Sequence, residues 1–181
     1  MKKILIISSS ARKSGKTAAL YSRFARGAQE NGNVVERQFL IEKHIESCSG
    51  CGRCLATKRC LKSDDTRRIL DRMIWADAIV LAMTVEFYSL DVQIQRLLDR
   101  VQPRREELAK KEYYFVLTSR FVEKKELEKV LEMLRSKVRE KIPGAVEAGF
   151  LLETGRKEEN ENNEDSEPAV FEAAYRLGCS V

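Results

Sequence analysis

Apolar residues fall in short runs, separated by stretches where they recur every three or four positions. The runs at residues 2–8, 34–40, 77–83, 113–118 and 145–152 have the length and bounding polar clusters of buried strands. Between them, residues 16–31 place Ala19, Leu20, Phe24 and Ala28 at helical spacing and stop at Gly32. Residues 66–75 group Ile69, Leu70, Met73 and Ile74 on one face. Residues 90–101 carry Val92, Ile94, Leu97, Leu98 and Val101, and residues 123–141 carry Leu127, Val130, Leu131, Leu134 and Val138. Both read as amphipathic helices. Residues 155–167 contain almost no apolar side chain and read as a solvated acidic loop. A closing helix is expected over 168–177, with Pro168 in its first turn and Gly178 at its end.

Five apolar strands alternating with helices imply an α/β fold with a parallel sheet covered on both faces. Right-handed crossovers make it a doubly wound, three-layer sandwich. Such sheets bind ligands at the carboxyl ends of their strands. That brings together the loops around 8–17, 84–90 and 118–122. At 181 residues the chain is expected to form one domain, 1–181, with a cysteine-rich loop at 44–65.

The charge is uneven. Residues 1–155 hold thirty Lys/Arg against twenty-one Asp/Glu, a balance of +9, and residues 156–181 hold three against seven, a balance of −4. A basic body suits an anionic cofactor. It lacks the interleaved aromatics of a nucleic-acid surface, so no nucleic-acid partner is expected. No apolar run is long enough to span a bilayer, so no membrane partner is expected either. Met1-Lys2-Lys3 leads straight into Ile4–Ile7, too short for a secretory leader. A cytoplasmic location is the expectation. His44 is the single histidine, which argues against a His-rich metal centre or a Ser-His-Asp hydrolase.

The loop after the first strand reads Ser8-Ser9-Ser10-Ala11-Arg12-Lys13-Ser14-Gly15-Lys16-Thr17. Hydroxyls, cations and helix N-terminal amides converge there, which suits a phosphate. The segment from Ser10 to Thr17 also matches a Walker A pattern with Ser for the first Gly. A P-loop NTPase needs an acidic residue at a strand end for magnesium, and Glu86 is the one nearby.

Four of five cysteines lie within thirteen residues, Cys48, Cys51, Cys54 and Cys60, spaced C-x2-C-x2-C-x5-C. In a reducing compartment such a run indicates metal or redox chemistry. The compact repeat suits an iron–sulfur cubane. Zinc, an unmetallated thiol loop and a disulfide are the alternatives. Arg53, Lys58 and Arg59 lie between the thiols and would favour thiolates. Asp64-Asp65 reads as a helix cap, Cys179 as an incidental thiol.

Four stretches together carry a resemblance. Residues 9–17 are similar to the G-S-P-R-K-x-G-N-T phosphate loop of the flavodoxin-like, NADPH-dependent FMN reductase superfamily. Cys48-x-Gly50-Cys51-x-x-Cys54-x5-Cys60 with Asp64-Asp65 resembles the signature of its iron–sulfur flavoprotein branch. Gln93 to Arg100 resembles its Q-L-K-x-x-I-D-R segment, and Ala174 to Gly178 its A-x-x-L-G ending. The resemblance implies a flavodoxin-like fold and an FMN-dependent oxidoreductase or electron-transfer flavoprotein, assembled as a homodimer or homotetramer. It implies that Ser10, Arg12, Ser14, Lys16 and Thr17 hold the FMN phosphate. Thr84, Val85, Glu86, Phe87, Tyr88 and Ser89 would border the flavin ring, and Thr118, Ser119 and Arg120 would form a third FMN loop. No side chain need act as an acid or base, because the flavin carries the chemistry. A [4Fe–4S] cluster would sit on Cys48, Cys51, Cys54 and Cys60. NAD(P)H or ferredoxin would be the electron donor. Ser9 and Ala11 replace the family's Gly and Pro, Lys16 its Asn, and Thr84-Val85-Glu86 its Pro-x-Tyr. A flavin-free metal-loop or scaffold protein on the same fold is the alternative these departures suggest.

Overall fold

The computed structural model describes residues 1–155 and 166–181. The acidic loop expected at 155–167 lies, apart from its two ends, outside the described residues. Strands β1 (Lys3–Ser8), β2 (Val34–Phe39), β3 (Ala78–Thr84), β4 (Glu112–Ser119) and β5 (Val146–Thr154) form one parallel sheet in the order β2-β1-β3-β4-β5. This is the flavodoxin-like doubly wound order, in which the chain reverses direction across the sheet next to β1 and β3.

Residues alternate between the two faces of each strand, and each face has its own core. Leu5, Ile7, Ile79, Leu81, Phe115 and Leu117 point to one side. There they meet α3 (Thr66–Trp75), α4 (Val92–Asp99) and α6 (Lys124–Lys141). Ile4, Ile6, Val80, Ala82, Tyr114 and Val116 point to the other. That side is covered by α1 (Lys16–Glu30) and α7 (Ser166–Cys179). Continuous apolar runs are what such two-sided burial requires.

Three strands extend beyond the apolar runs at their carboxyl ends. β3 includes Thr84, β4 includes Ser119, and β5 reaches Glu153 and Thr154. Sheet pairing, Thr84↔Thr118 and Thr118↔Glu153 among others, holds these polar residues in strand geometry. The helix expected over 90–101 is shorter, because the Asp91 carboxylate accepts from the backbone N–H of Gln93 (2.8 Å) and Ile94 (3.2 Å) and caps α4 there. It is followed by a 3-10 turn, Gln102–Arg104, and a short α5, Arg105–Leu108.

Gly178 does not end the last helix, as its identity suggested. It lies inside α7, where a Cβ would fall 2.0 Å from the Phe24 carbonyl oxygen of α1. Gly27 is the counterpart on α1: its Cβ would fall 2.2 Å from the Tyr175 carbonyl oxygen. The two helices touch backbone to backbone.

Candidate functional site

The loops after β1, β3 and β4 meet over the N-terminus of α1. Thr17, buried at the first turn of α1, places its Oγ1 2.9 Å from Thr84 Oγ1 and 2.5 Å from Thr118 Oγ1. Thr84 donates in turn to Ser10 Oγ at 3.2 Å. One chain of hydroxyls thus joins all three loops. The backbone tightens it: Ser9 N–H donates to the Ala82 carbonyl (3.0 Å) and Val85 N–H to the Thr118 carbonyl (2.7 Å). The Ser119 hydroxyl donates to the Val85 carbonyl and accepts from Phe121 and Val122 N–H. It fixes the turn after β4.

Around this frame lie the groups expected to hold a phosphate. Arg12 and Ser14 are exposed on the loop. The Ser10 hydroxyl donates to the Arg12 carbonyl at 3.3 Å. Lys13 pairs with Glu42. Ser9 is buried, and its hydroxyl has no hydrogen-bond partner among the described residues. A buried hydroxyl left unpaired on the loop that leads into a helix N-terminus is what a missing partner leaves behind. The residues present fit the phosphate of FMN.

The segment expected to border a flavin ring divides in two. Thr84 is half-buried in the hydroxyl chain, and Val85 turns fully into the α3/α4/α6 core, leaving only its backbone at the edge. Glu86, Phe87, Tyr88 and Ser89 are exposed, with Tyr88 in the left-handed region at φ 51°. Arg120 and Phe121 are exposed on the neighbouring loop.

Glu153 is the functional neighbour that sequence reading missed. It is only 7% exposed, at the end of β5, and its carboxylate takes Lys16 Nζ at 3.4 Å. It therefore sets a negative charge beside a loop that otherwise presents cations. Counting β5 one register further, opposite Thr118, would have found it.

The cysteine segment leaves the same end of the sheet. After Gly52 (φ 69°) it forms a five-residue helix, α2 (Arg53–Thr57), which closes at Lys58 (φ 52°). Cys48, Cys51 and Cys60 are exposed and Cys54 is half-buried. A hydrogen bond from the Arg53 backbone draws the Cys51 thiol pKa down against the opposing effect of desolvation. Among the described residues, no three His, Cys, Asp or Glu side chains are placed to hold a metal ion together. As arranged, the four thiols are not gathered around a single point.

Asp64 and Asp65 tie the two ends of this segment together. Asp64 accepts from Arg100 (2.9 and 3.2 Å) and from the backbone N–H of Glu46 (2.9 Å) and Thr66 (3.1 Å). Asp65 accepts from His44 N–H at 2.9 Å. Asp65 makes no side-chain cap to α3; only Asp64, through Thr66, plays that part. The Arg100–Asp64 pair is buried, with side chains 2% and 0% exposed. Burial pushes the Asp64 pKa up, but the Arg100 guanidinium and the two N–H donors outweigh it and bring it down to about 2.

The sequence matches the NADPH-dependent FMN reductase family over residues 2–146. It is 34% identical over 103 residues to an iron–sulfur flavoprotein of Methanocaldococcus jannaschii, an alignment covering 57% of this chain and 53% of that one. The chain thus spans about half the length of the curated relatives it matches. In structure it resembles an azoreductase of Bacillus anthracis, with TM-score 0.76, 12% identity and full coverage of both chains. It also resembles an NAD(P)H:quinone oxidoreductase of Methanothermobacter marburgensis, with TM-score 0.72, 15% identity, and 99% and 96% coverage. At those identities the likeness concerns the fold. Family match, strand order and the three joined loops agree, and the chain belongs to the NADPH-dependent FMN reductase family.

Proposed function

We propose that this protein is an FMN-dependent oxidoreductase that takes electrons from a nicotinamide donor. The observation that carries the reading is the Thr17 hydroxyl joined to both Thr84 and Thr118. It locks three strand-end loops around an α1 N-terminus with an unpartnered Ser9 hydroxyl. Bound FMN would supply hydride and single-electron chemistry. Ser9, Ser10, Arg12, Ser14, Lys16 and Thr17 would bind its phosphate. Thr84, the Val85 backbone, Glu86, Phe87, Tyr88 and Ser89 would border the ring, with Thr118, Ser119 and Arg120 closing the other side. The chain orients the cofactor and excludes water from it; no side chain need move a proton.

The same reading places the protein in the cytoplasm, where free thiols persist, as a homodimer or homotetramer. Exposed Phe87, Tyr88 and Phe121 on the flavin-bordering loops give a second copy something to cover. Among the described residues no helix is long and apolar enough to cross a membrane.

The test is reconstitution with FMN followed by oxidation of NADPH or NADH under an electron acceptor. Protein that stays colourless after incubation with FMN overturns the reading and favours the flavin-free alternative. A [4Fe–4S] cluster on Cys48, Cys51, Cys54 and Cys60 is the finer proposal, supported by their spacing and by the iron–sulfur flavoprotein names of the curated relatives. The thiols are not drawn together, so no electron path is derived through a cluster. Anaerobic reconstitution should load iron and sulfide into the native chain, and Cys51→Ala should lose the iron while keeping FMN. Equal iron in both would remove these thiols as ligands.

A further inference from the structure

A cavity of about 710 Å³ opens between the second half of the cysteine segment and the α3 and α5 flank. None of its lining residues belongs to the loops at 8–17, 84–90 or 118–122, although Cys60, the last of the four clustered thiols, does line it. Six cations line it, Lys58, Arg59, Lys62, Arg67, Arg100 and Arg104, against the carboxylates of Asp64, Glu106 and Glu107. The pairing is incomplete. Lys58 meets Glu106 at 3.0 Å, Arg104 meets Glu107 and Asp71, and Lys62 meets Glu46 at 2.5 Å. The side chains of Arg59 and Arg67 have no ion-pair or hydrogen-bond partner among the described residues.

Arg100 is the buried member of the wall. Its Nη atoms serve Asp64 and the Glu46 carbonyl and its guanidinium also faces the Cys60 thiol, whereas its buried Nε meets no acceptor in hydrogen-bond geometry among the described residues. A buried guanidinium N–H without a partner is an uncommon arrangement in a folded protein. Here it belongs to a wall whose six cations meet three lining carboxylates and two more, Glu46 and Asp71, from outside the lining, which leaves Arg59 and Arg67 to face the cavity without a counter-charge among the described residues. The chemistry that satisfies such a wall is an oxyanion, and arginine forks match phosphate geometry best.

The volume narrows the class. About 710 Å³ is the size of a pocket for an organic ligand, roughly 300–1,000 Å³, and far exceeds one inorganic anion. Leu61, Leu70 and Pro103 give it an apolar wall beside the charged one. We propose that this cavity is a second anion site, separate from the phosphate loop, which takes an organic diphosphate. The shared chemistry is that of free ADP and of the ADP half of a nicotinamide dinucleotide. The proposal does not rest on the flavin reading.

The test is calorimetric titration of the FMN-incubated protein with ADP and, separately, with NADP+, at constant ionic strength. NADP+ is used because it cannot reduce a flavin. The expected result is saturable one-to-one binding that weakens at least tenfold in the double variant Arg59→Glu/Arg67→Glu. Both side chains are exposed, so the fold should tolerate the change, and FMN content read from the visible spectrum should be unchanged. Arg12→Glu, on the phosphate loop, should leave ADP binding intact. Binding of both ligands supports a site for free ADP or its dinucleotide form; binding of NADP+ alone assigns it to the dinucleotide. The proposal is overturned if neither ligand binds, if the double variant binds as the native chain does, or if Arg12→Glu is the variant that loses ADP. Loss of FMN by itself counts against the flavin reading and leaves this one standing.

Discussion

Two carboxylates do opposite things at the residue scale. Glu153 stands beside the phosphate loop and holds Lys16. Its charge opposes an incoming phosphate, so Glu153→Gln is expected to tighten FMN binding roughly three- to tenfold. Flavin fluorescence quenching would measure this, and unchanged or weaker binding would show that Glu153 orients Lys16 rather than competing for it. Asp64 is held near 2 by Arg100 and two backbone donors despite its burial. Its folded-state pKa is depressed below the ordinary 3.8. Its contribution is therefore present above about pH 4 and is lost as pH falls through about 2, on the order of 2 kcal/mol. Asp64→Asn also leaves Arg100 buried and unpaired, at a cost of about 3 kcal/mol near neutral pH. Urea melts should show that gap narrowing as pH drops from about 5 to 2; a gap that widens would reverse the sign. Neither role was legible in sequence. Asp64-Asp65 reads as a helix cap because the Arg100 that pairs with Asp64 lies 36 positions away. Glu153 escapes because nothing local marks a polar residue after an apolar run.

Elements were legible where burial repeats along the chain and illegible where pairing alone sets an end. All five strands and the long helices follow from apolar periodicity. The carboxyl ends of β3, β4 and β5 do not, since Thr84, Ser119 and Thr154 remain in strand geometry through register with their neighbours. Those polar extensions are the site's edge, so the pattern fails where function begins. α2 is invisible for a related reason: five residues closed by left-handed Gly52 and Lys58 have no buried face to leave a periodic trace. Gly178 misleads for a third reason. A glycine near a helix end reads as a stop signal, but here it permits the α1–α7 backbone contact. Gly178→Ala forces a methyl against the Phe24 carbonyl, and the helices must part. The expected loss is about 2–3 kcal/mol, typical of overpacking, read from chemical denaturation. A loss under about 0.5 kcal/mol, the range of an ordinary surface change, would mean the helices separate freely.

The whole molecule couples its two cores through the sheet, and the hydroxyl chain of Thr17, Thr84 and Thr118 is where that coupling reaches the ligand edge. Thr17 belongs to α1 on one face, whereas the loop after β3 leads through Val85 into the opposite core. A ligand seated there bridges elements from both sides and stabilises the fold as a unit by mass action. At FMN concentrations a hundredfold above its dissociation constant, that contribution is about 2.7 kcal/mol. For a chain of 181 residues it raises the melting temperature by about 5–10 °C. Riboflavin separates the phosphate loop from the ring: it keeps the isoalloxazine but gives Ser9, Arg12 and the α1 N-terminus no anion to bind. A thermal melt with riboflavin at the same concentration should therefore shift far less than one with FMN. High salt should shrink the FMN shift further, because exposed cations such as Arg12 are screened. Equal shifts from both flavins would locate affinity in the ring and strip the loop at 8–17 of its assigned role. A large shift from FMN alone would tie the sequence's first polar cluster to the stability of both cores.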